Sequence, residues 1–147
     1  MKASFRIPIF ILFIVLSINS LGGVLENYES DLSRLEKQYE EEIDKDYSTT
    51  GMVLAGQKYY EELDEILNKC YKELMATLDD EEKVALKESQ REWIKFKDKE
   101  LKFAANLYSK KDGSIWRLST PRVAINLMIN RIKELSIYLS DQKDELF

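Results

Sequence analysis

Residues 64–98 of this chain read DEILNKCYKELMATLDDEEKVALKESQREWIKFKD, and they leave few folds open. In and just before the first half, Leu63, Leu67, Cys70, Leu74 and Leu78 recur at steps of three and four. In the second half Leu86, Ser89, Trp93 and Phe96 do the same. Those steps put each set on one face of a helix. Between the halves stands Leu78-Asp79-Asp80-Glu81-Glu82. Asp79 is a helix N-cap, and Glu82 follows it at the capping-box spacing. The acidic first turn also suits the positive end of the helix dipole. The connection is therefore short, and the two helices are expected to lie antiparallel against each other.

The rest of the chain extends this helical reading. A third of the residues are charged, and there are only five glycines and two prolines, which favours long helices over sheet or disorder. Leu25, Tyr28, Leu32, Leu35 and Tyr39, continued by Ile43 and Tyr47, form one stripe opposite a charged face. This amphipathic helix either packs on the helices that follow or forms a coiled-coil arm, although Glu42 interrupts the third heptad. Residues 47–51 break the pattern, with Thr49 or Thr50 as the next N-cap and a bend expected near Gly56. The Trp93 helix continues through Phe103, Leu107 and Tyr108, and residues 109–114 are a turn by chemistry. Thr120-Pro121 is a helix start, Thr as N-cap and Pro at the first position. Ala124, Leu127, Met128, Arg131, Leu135 and Tyr138 then line a last helix ending around Ser140.

The N-terminus carries Lys2 and Arg6, then an apolar run over residues 7–18, then small Ser20 and Gly22 at the −3 and −1 positions of a cleavage site. The run is short for a bilayer span, so a secretory signal peptide is expected, with an uncleaved anchor as the rival. No cysteine lies near this boundary, which excludes a lipoprotein anchor. The expected organisation is a signal peptide over 1–22, an amphipathic helix over 23–48, a helical domain over 49–140 and a polar tail over 141–147. The fold class is all-α: an antiparallel bundle of about four main helices. A periplasmic or secreted location follows.

Residues 64–98 also carry a resemblance. Asp64, Leu67-Asn68, Tyr71 and Leu74 make a D-x-x-L-N-x-x-Y-x-x-L pattern, and Leu86, Gln90-Arg91, Trp93-Ile94, Phe96 and Asp98 make L-x-x-x-Q-R-x-W-I-x-F-x-D. In this order and spacing the chain resembles the LprI-like lysozyme inhibitor family of small exported bacterial domains, over about residues 49–139. The resemblance implies a helical envelope domain, with lysozyme inhibition proposed for some members, and makes Arg131 the equivalent of an arginine in the family's last helix. Members often carry cysteines, near Ala55, Leu101 and Val123 here, so Leu101 and Val123 are expected to meet as an apolar contact instead. The lone Cys70 falls at a variable position. It lies on the Leu63-Leu67-Leu74 seam, buried there or else free to pair with a second chain.

Chemistry of its own is not expected. The chain has no histidine, which removes the commonest general base and metal ligand. A glycosidase needs two carboxylates in a cleft, whereas the acidic residues here lie on helix surfaces, and Cys70 has no base beside it. No cofactor or metal is implied. The family-pattern residues read as scaffold or as a pocket: Asp64, Asn68 and Tyr71 share a face, Trp93 is a core aromatic, and Asp98 and Arg131 form an interhelical pair. Net charge is −5, and −7 once Lys2 and Arg6 leave with the leader. Such a chain repels nucleic acid and anionic lipid and attracts cationic proteins such as lysozyme. Lys110, Lys111, Trp116 and Arg117 form the segment suited to enter an acidic cleft, against the plainer reading of a solvated turn and a packed tryptophan. The competing class is a structural or stress-related envelope protein that docks a partner through Leu25, Leu32 and Leu35. Oligomeric state is left open. N-terminal sequencing of the exported protein should find Gly23 or Val24 first; Met1 retained in a membrane fraction would defeat the leader.

Overall fold

The computed structural model describes residues 9–144, with side chains from 23 to 143. The described residues form four α-helices: α1 Ile9–Lys45, α2 Thr49–Thr77, α3 Asp80–Tyr108 and α4 Ser119–Asp144, with a 3-10 turn at Ser114–Leu118 leading into α4. This is the expected all-α bundle. The expected leader falls on residues 1–8, outside the described residues, and on the first part of α1, where only the backbone is described. Among the described residues no helix is long and apolar enough to cross a membrane.

Helix α4 is the common partner: α1, α2 and α3 all pack on it, α2 most extensively. Its inner stripe is Met128, Ile132, Leu135 and Leu139, all fully buried. Leu63, Leu67, Cys70 and Leu74 meet it from α2, and Tyr28, Leu32 and Leu35 from α1. The α1 stripe is thus committed to the bundle, and the coiled-coil alternative falls. Tyr47 lies past the end of α1, exposed, with its hydroxyl donating to Asp44 at 2.6 Å.

Local chemistry sets the breaks. At Asp79 the capping box is complete: the Asp79 carboxylate accepts from the Glu82 N–H at 2.8 Å, and the Glu82 carboxylate accepts from the Asp79 N–H at 2.9 Å. The cap of α2 is Ser48, not Thr49 or Thr50. Its hydroxyl accepts from the Gly51 N–H at 3.0 Å, while the Asp46 carboxylate accepts from the Ser48 N–H at 2.9 Å and holds the chain extended there. Those bonds to Ser48 keep the Asp46 carboxyl below its ordinary range. Helix α4 begins at Ser119, because the 3-10 turn already delivers that residue in helical conformation. Thr120 therefore sits in the first turn instead of capping it.

Four further expectations change. First, α2 and α3 are antiparallel, with Tyr60 and Lys97 equidistant from the turn and joined by a 2.9 Å hydrogen bond. They do not pack closely on each other, however; α3 approaches α4 instead. Long side chains on its inner face, Gln90, Trp93 and Lys97, hold the backbone off, and only Ala104 is fully buried on this helix. Second, Phe96 is 52% exposed, because it lies to one side of the Leu86–Trp93 line. Third, the α4 stripe is centred on Met128, Ile132, Leu135 and Leu139, so Tyr138 faces solvent. Fourth, α4 runs past Ser140 to Asp144, since Leu139 and Ser140 are still buried. The expected tail from 141 thus starts as helix.

Two glycines of α2 differ in what their missing side chains allow. A Cβ at Gly51 would collide with the side chain and carbonyl oxygen of Asp46, whereas at Gly56 it would lie 3.9 Å from Pro121 Cβ, an ordinary contact. No break interrupts α2 at Gly56. Gly56→Ala should therefore stabilise the fold by about 0.5–1 kcal/mol through helix propensity. Gly51→Ala should destabilise it by about 1–3 kcal/mol through overpacking. Urea unfolding of the two variants checks the opposite signs.

Candidate functional site

The family-pattern residues divide by where the helices aim them. Arg131, on the α4 face toward α3, is 6% exposed. Its Nε donates to Gln90 Oε1 at 2.9 Å, one terminal nitrogen to Ser89 Oγ at 3.2 Å, and the other to Glu134 at 3.0 Å. Its guanidinium also lies 5.8 Å from the centre of the Trp93 ring, and Lys97 Nζ lies 5.4 Å from it. A planar fork of donors suits this job of joining two helices while stacking on an aromatic face. Trp93 packs against the core but stays half-buried, at the seam between α3 and α4.

Asp98 is exposed and is not Arg131's partner; Gln90, Ser89 and Glu134 take that place. Two turns of α3 separate Gln90 from Asp98, so one guanidinium does not reach both. On α2, Leu67 is buried and Tyr71 packs against the core. Asp64 and Asn68 are exposed and form a clasp within one turn, Asn68 Nδ2 donating at 2.8 Å to both the carboxylate and the carbonyl oxygen of Asp64. Arg91 also faces solvent. Leu67, Tyr71, Gln90, Trp93 and Arg131 thus pack or bond between helices, whereas Asp64, Asn68, Arg91, Phe96 and Asp98 face solvent.

Cys70 is fully buried and free, and burial pushes its thiol up to about 11. It is therefore inaccessible to a second chain and weakly nucleophilic. Beside it the Tyr28 hydroxyl is buried, close to the Cys70 thiol and the Glu73 carboxylate. Burial raises that phenol's pKa as well. Among the described residues no group of three or more Cys, Asp or Glu could hold a metal ion.

The surface with shape lies at the other end of the bundle, around residues 109–118. Gly113 adopts φ 103°, a conformation L side chains rarely adopt, and turns the chain into the 3-10 segment. The Ser114 hydroxyl is hydrogen-bonded to Thr49 Oγ1 at 3.2 Å, which ties the segment to the start of α2. Trp116 stacks on Tyr108 with centroids 5.9 Å apart and planes 13° apart, and Lys111 Nζ lies 5.6 Å from the Trp116 ring centre. Lys110, Lys111 and Arg117 are exposed, and Trp116 keeps 36% of its surface. The tryptophan is therefore packed on one neighbour and still open to a partner.

Trp116 is a wall shared by two clefts. One, of about 570 Å³, is mixed in character and carries basic groups, with Lys111, Arg117, Tyr108 and Thr120 in its lining. The other, of about 510 Å³, is mainly apolar and lies between α1, α2, the 3-10 turn and α4. Tyr39 and Tyr59, stacked on each other at 4.9 Å, form part of its wall, with Glu36 and Arg122 also in the lining. Burial, with the Glu36 carboxylate nearby, pushes the Tyr59 phenol up to about 12. Sequence periodicity marked Tyr39 as a stripe residue but gave no sign of this second cleft, because its walls come from four separate segments. Ser89 and Glu134 were also missed as Arg131's partners; the signal was a serine standing in an apolar stripe. Asp64, Asn68 and Asp98 line neither cleft.

The described residues thus form a helical bundle with a polar latch between α3 and α4 and two adjoining clefts at one end. A family model described as "Lysozyme inhibitor LprI" matches residues 40–135, and the chain belongs to that family. The match starts within α1, ahead of the Thr49 boundary expected from the motifs. No curated protein and no solved structure matches the chain.

The latch makes a direct comparison. Arg131→Ala should lower stability by about 2–4 kcal/mol, since it removes three hydrogen bonds and the packing on Trp93. Asp98→Ala should leave the urea midpoint unchanged. Equal losses in the two variants would show that Asp98 also serves the latch.

Proposed function

We propose that this protein, released from its leader at residue 22, is an exported non-enzymatic binding protein that inhibits a cationic lysozyme-type muramidase. The observation that carries this reading is the family match over residues 40–135. The net charge of −5, or −7 without Lys2 and Arg6, supports attraction of a cationic enzyme over long range. Glu40, Glu41, Glu42, Asp44 and Asp46 cluster where α1 ends, with Glu42 paired to Lys45 and Lys58 and Glu41 to Lys37, so part of that charge is met within the chain.

Inhibition requires something that enters the enzyme's cleft, where the catalytic acid and its partner carboxylate stand. The segment 110–117 supplies Lys110, Lys111 and Arg117 as donors to carboxylates, and Trp116 as a rigid aromatic anchor already stacked on Tyr108. Charge sets the association rate and the segment sets the dissociation rate. The docking alternative through Leu25, Leu32 and Leu35 loses its surface, since Leu32 and Leu35 are buried against the neighbouring helices and Leu25 is half-buried.

Purified protein from residue 23 onward, at micromolar concentration and low salt, should slow lysis of a muramidase substrate, and added salt should relieve the inhibition steeply. Replacing Lys110, Lys111, Trp116 and Arg117 together by alanine should abolish inhibition while the far-UV helical signal survives. If the wild type leaves lysozyme untouched, the inhibitor reading fails. An equally potent quadruple variant would move the site elsewhere on the molecule.

A further inference from the structure

We propose that the apolar cleft bounded by Tyr39, Tyr59 and Trp116, with Glu36 at its α1 rim, receives a basic side chain, preferentially an arginine, from the protein partner engaged by residues 110–117. The partner's identity rests on the reading above; the chemistry of the cleft does not.

Three observations point to this occupant. The cleft is about 510 Å³ and mainly apolar, large enough for a long side chain and lined for its methylene stem. Its walls include three aromatic rings, Tyr39 and Tyr59 stacked at 4.9 Å and Trp116 beside them. An aromatic and apolar wall suits the methylene stem and the weakly hydrated plane of a guanidinium better than a strongly hydrated group. The third observation is Glu36, an exposed carboxylate with no ion pair or hydrogen bond among the described residues, close enough to influence Tyr59. An acidic side chain would meet Glu36 unfavourably, and a purely apolar one would leave Glu36 unused. The lining also holds Arg122 on α4, with Asn126 one residue further from the helix start than Ile125. Arg122 repels a cation placed at the α4 side, so the inserted group belongs at the α1 rim, with carbonyl or carboxylate acceptors of the partner turned toward Arg122 and Asn126. A guanidinium fits better than an ammonium, because it is planar, stacks on rings and is more weakly hydrated. Since Trp116 walls this cleft and the basic one alike, an arginine seated here and an acidic group met by Lys111 and Arg117 would lie side by side in one interface.

The test titrates the protein from residue 23 onward with N-acetyl-arginine amide and, separately, with uncharged N-acetyl-norleucine amide. It follows the methyl signals of Ile125 and Ile129 and the Trp116 indole signal. Arginine amide should shift these signals saturably at millimolar concentration, about threefold or more tighter than norleucine amide, and Glu36→Gln should remove that preference. Equal binding of the two amides, or an unchanged preference in Glu36→Gln, overturns the proposal. Lysozyme inhibition by Glu36→Gln, read in parallel, keeps the two readings apart. If the arginine preference depends on Glu36 while wild type fails to inhibit lysozyme, the cleft stands and the choice of partner falls. If wild type inhibits and Glu36→Gln inhibits equally, with no arginine preference, the cleft falls and the inhibitor reading stands.

Discussion

Burial of one stripe on α4 governs this structure. Met128, Ile132, Leu135 and Leu139 are fully buried, and α1, α2 and α3 each pack against that helix. Burying a side chain of this kind contributes about 1.5–3 kcal/mol, so the four together rival the whole stability of a small domain. The stripe also fixes the rotation of α4. With Leu135 pointing inward, Arg131 must sit on the flank toward α3, and Ser136 must lie where a small side chain suits close packing. Its hydroxyl donates to the Lys133 carbonyl at 2.9 Å. A rotation of one residue would bury charges and expose leucines.

Much of the fold was legible because it is written in local chemistry. The Asp79–Glu82 capping box needs only four residues to be recognised, and it forms as spaced. The α1 stripe needs only its period, and its members Tyr28, Leu32 and Leu35 are buried. What failed was tertiary. A helical period gives a face but not its centre, so Tyr138 was placed inward when Leu139 is the buried residue. Phe96 kept the right spacing from Trp93, but α3 is an outer helix whose contact strip is narrow. The Ser48 cap was missed because two threonines follow it, and only the hydrogen bond from the Ser48 N–H to Asp46 decides which hydroxyl is aimed at the helix.

The candidate site was legible in part for a related reason. Residues 110–117 stand out in a one-dimensional reading because glycine, lysines and a tryptophan cluster there. The neighbouring cleft takes Glu36 and Tyr39 from α1, Tyr59 from α2 and Arg122 from α4, and no window of sequence contains them together. The motif residues mislead in the opposite sense. Gln90, Trp93 and Arg131 are distinctive in sequence, yet they form an internal latch in which the guanidinium's donors are directed at partners of the same chain. A buried arginine needs such partners to offset its desolvation. The most recognisable residues therefore secure α3 against α4, and the surface that can face a partner is built from less conspicuous ones.

That surface is preorganised, which matters more for binding any partner than its area. A flexible loop of eight residues would lose conformational freedom on entering a cleft, and each ordered side chain would subtract about 0.5–1.5 kcal/mol from binding. Here much of the loss is met during folding. Gly113 supplies the one positive φ among the described residues, Ser114 is tied to Thr49, and Trp116 rests on Tyr108. The flanking helices hold both ends of the segment. Long-range attraction comes from the acidic helix surfaces, while the segment itself is basic, so the two act at different stages. For the cationic enzyme proposed above, the net charge would act over long range, and only the orientation that brings an acidic cleft onto Lys110, Lys111 and Arg117 would gain short-range pairing. Under that proposal, opposite local and global charges would convert a weak, undirected attraction into a directed one.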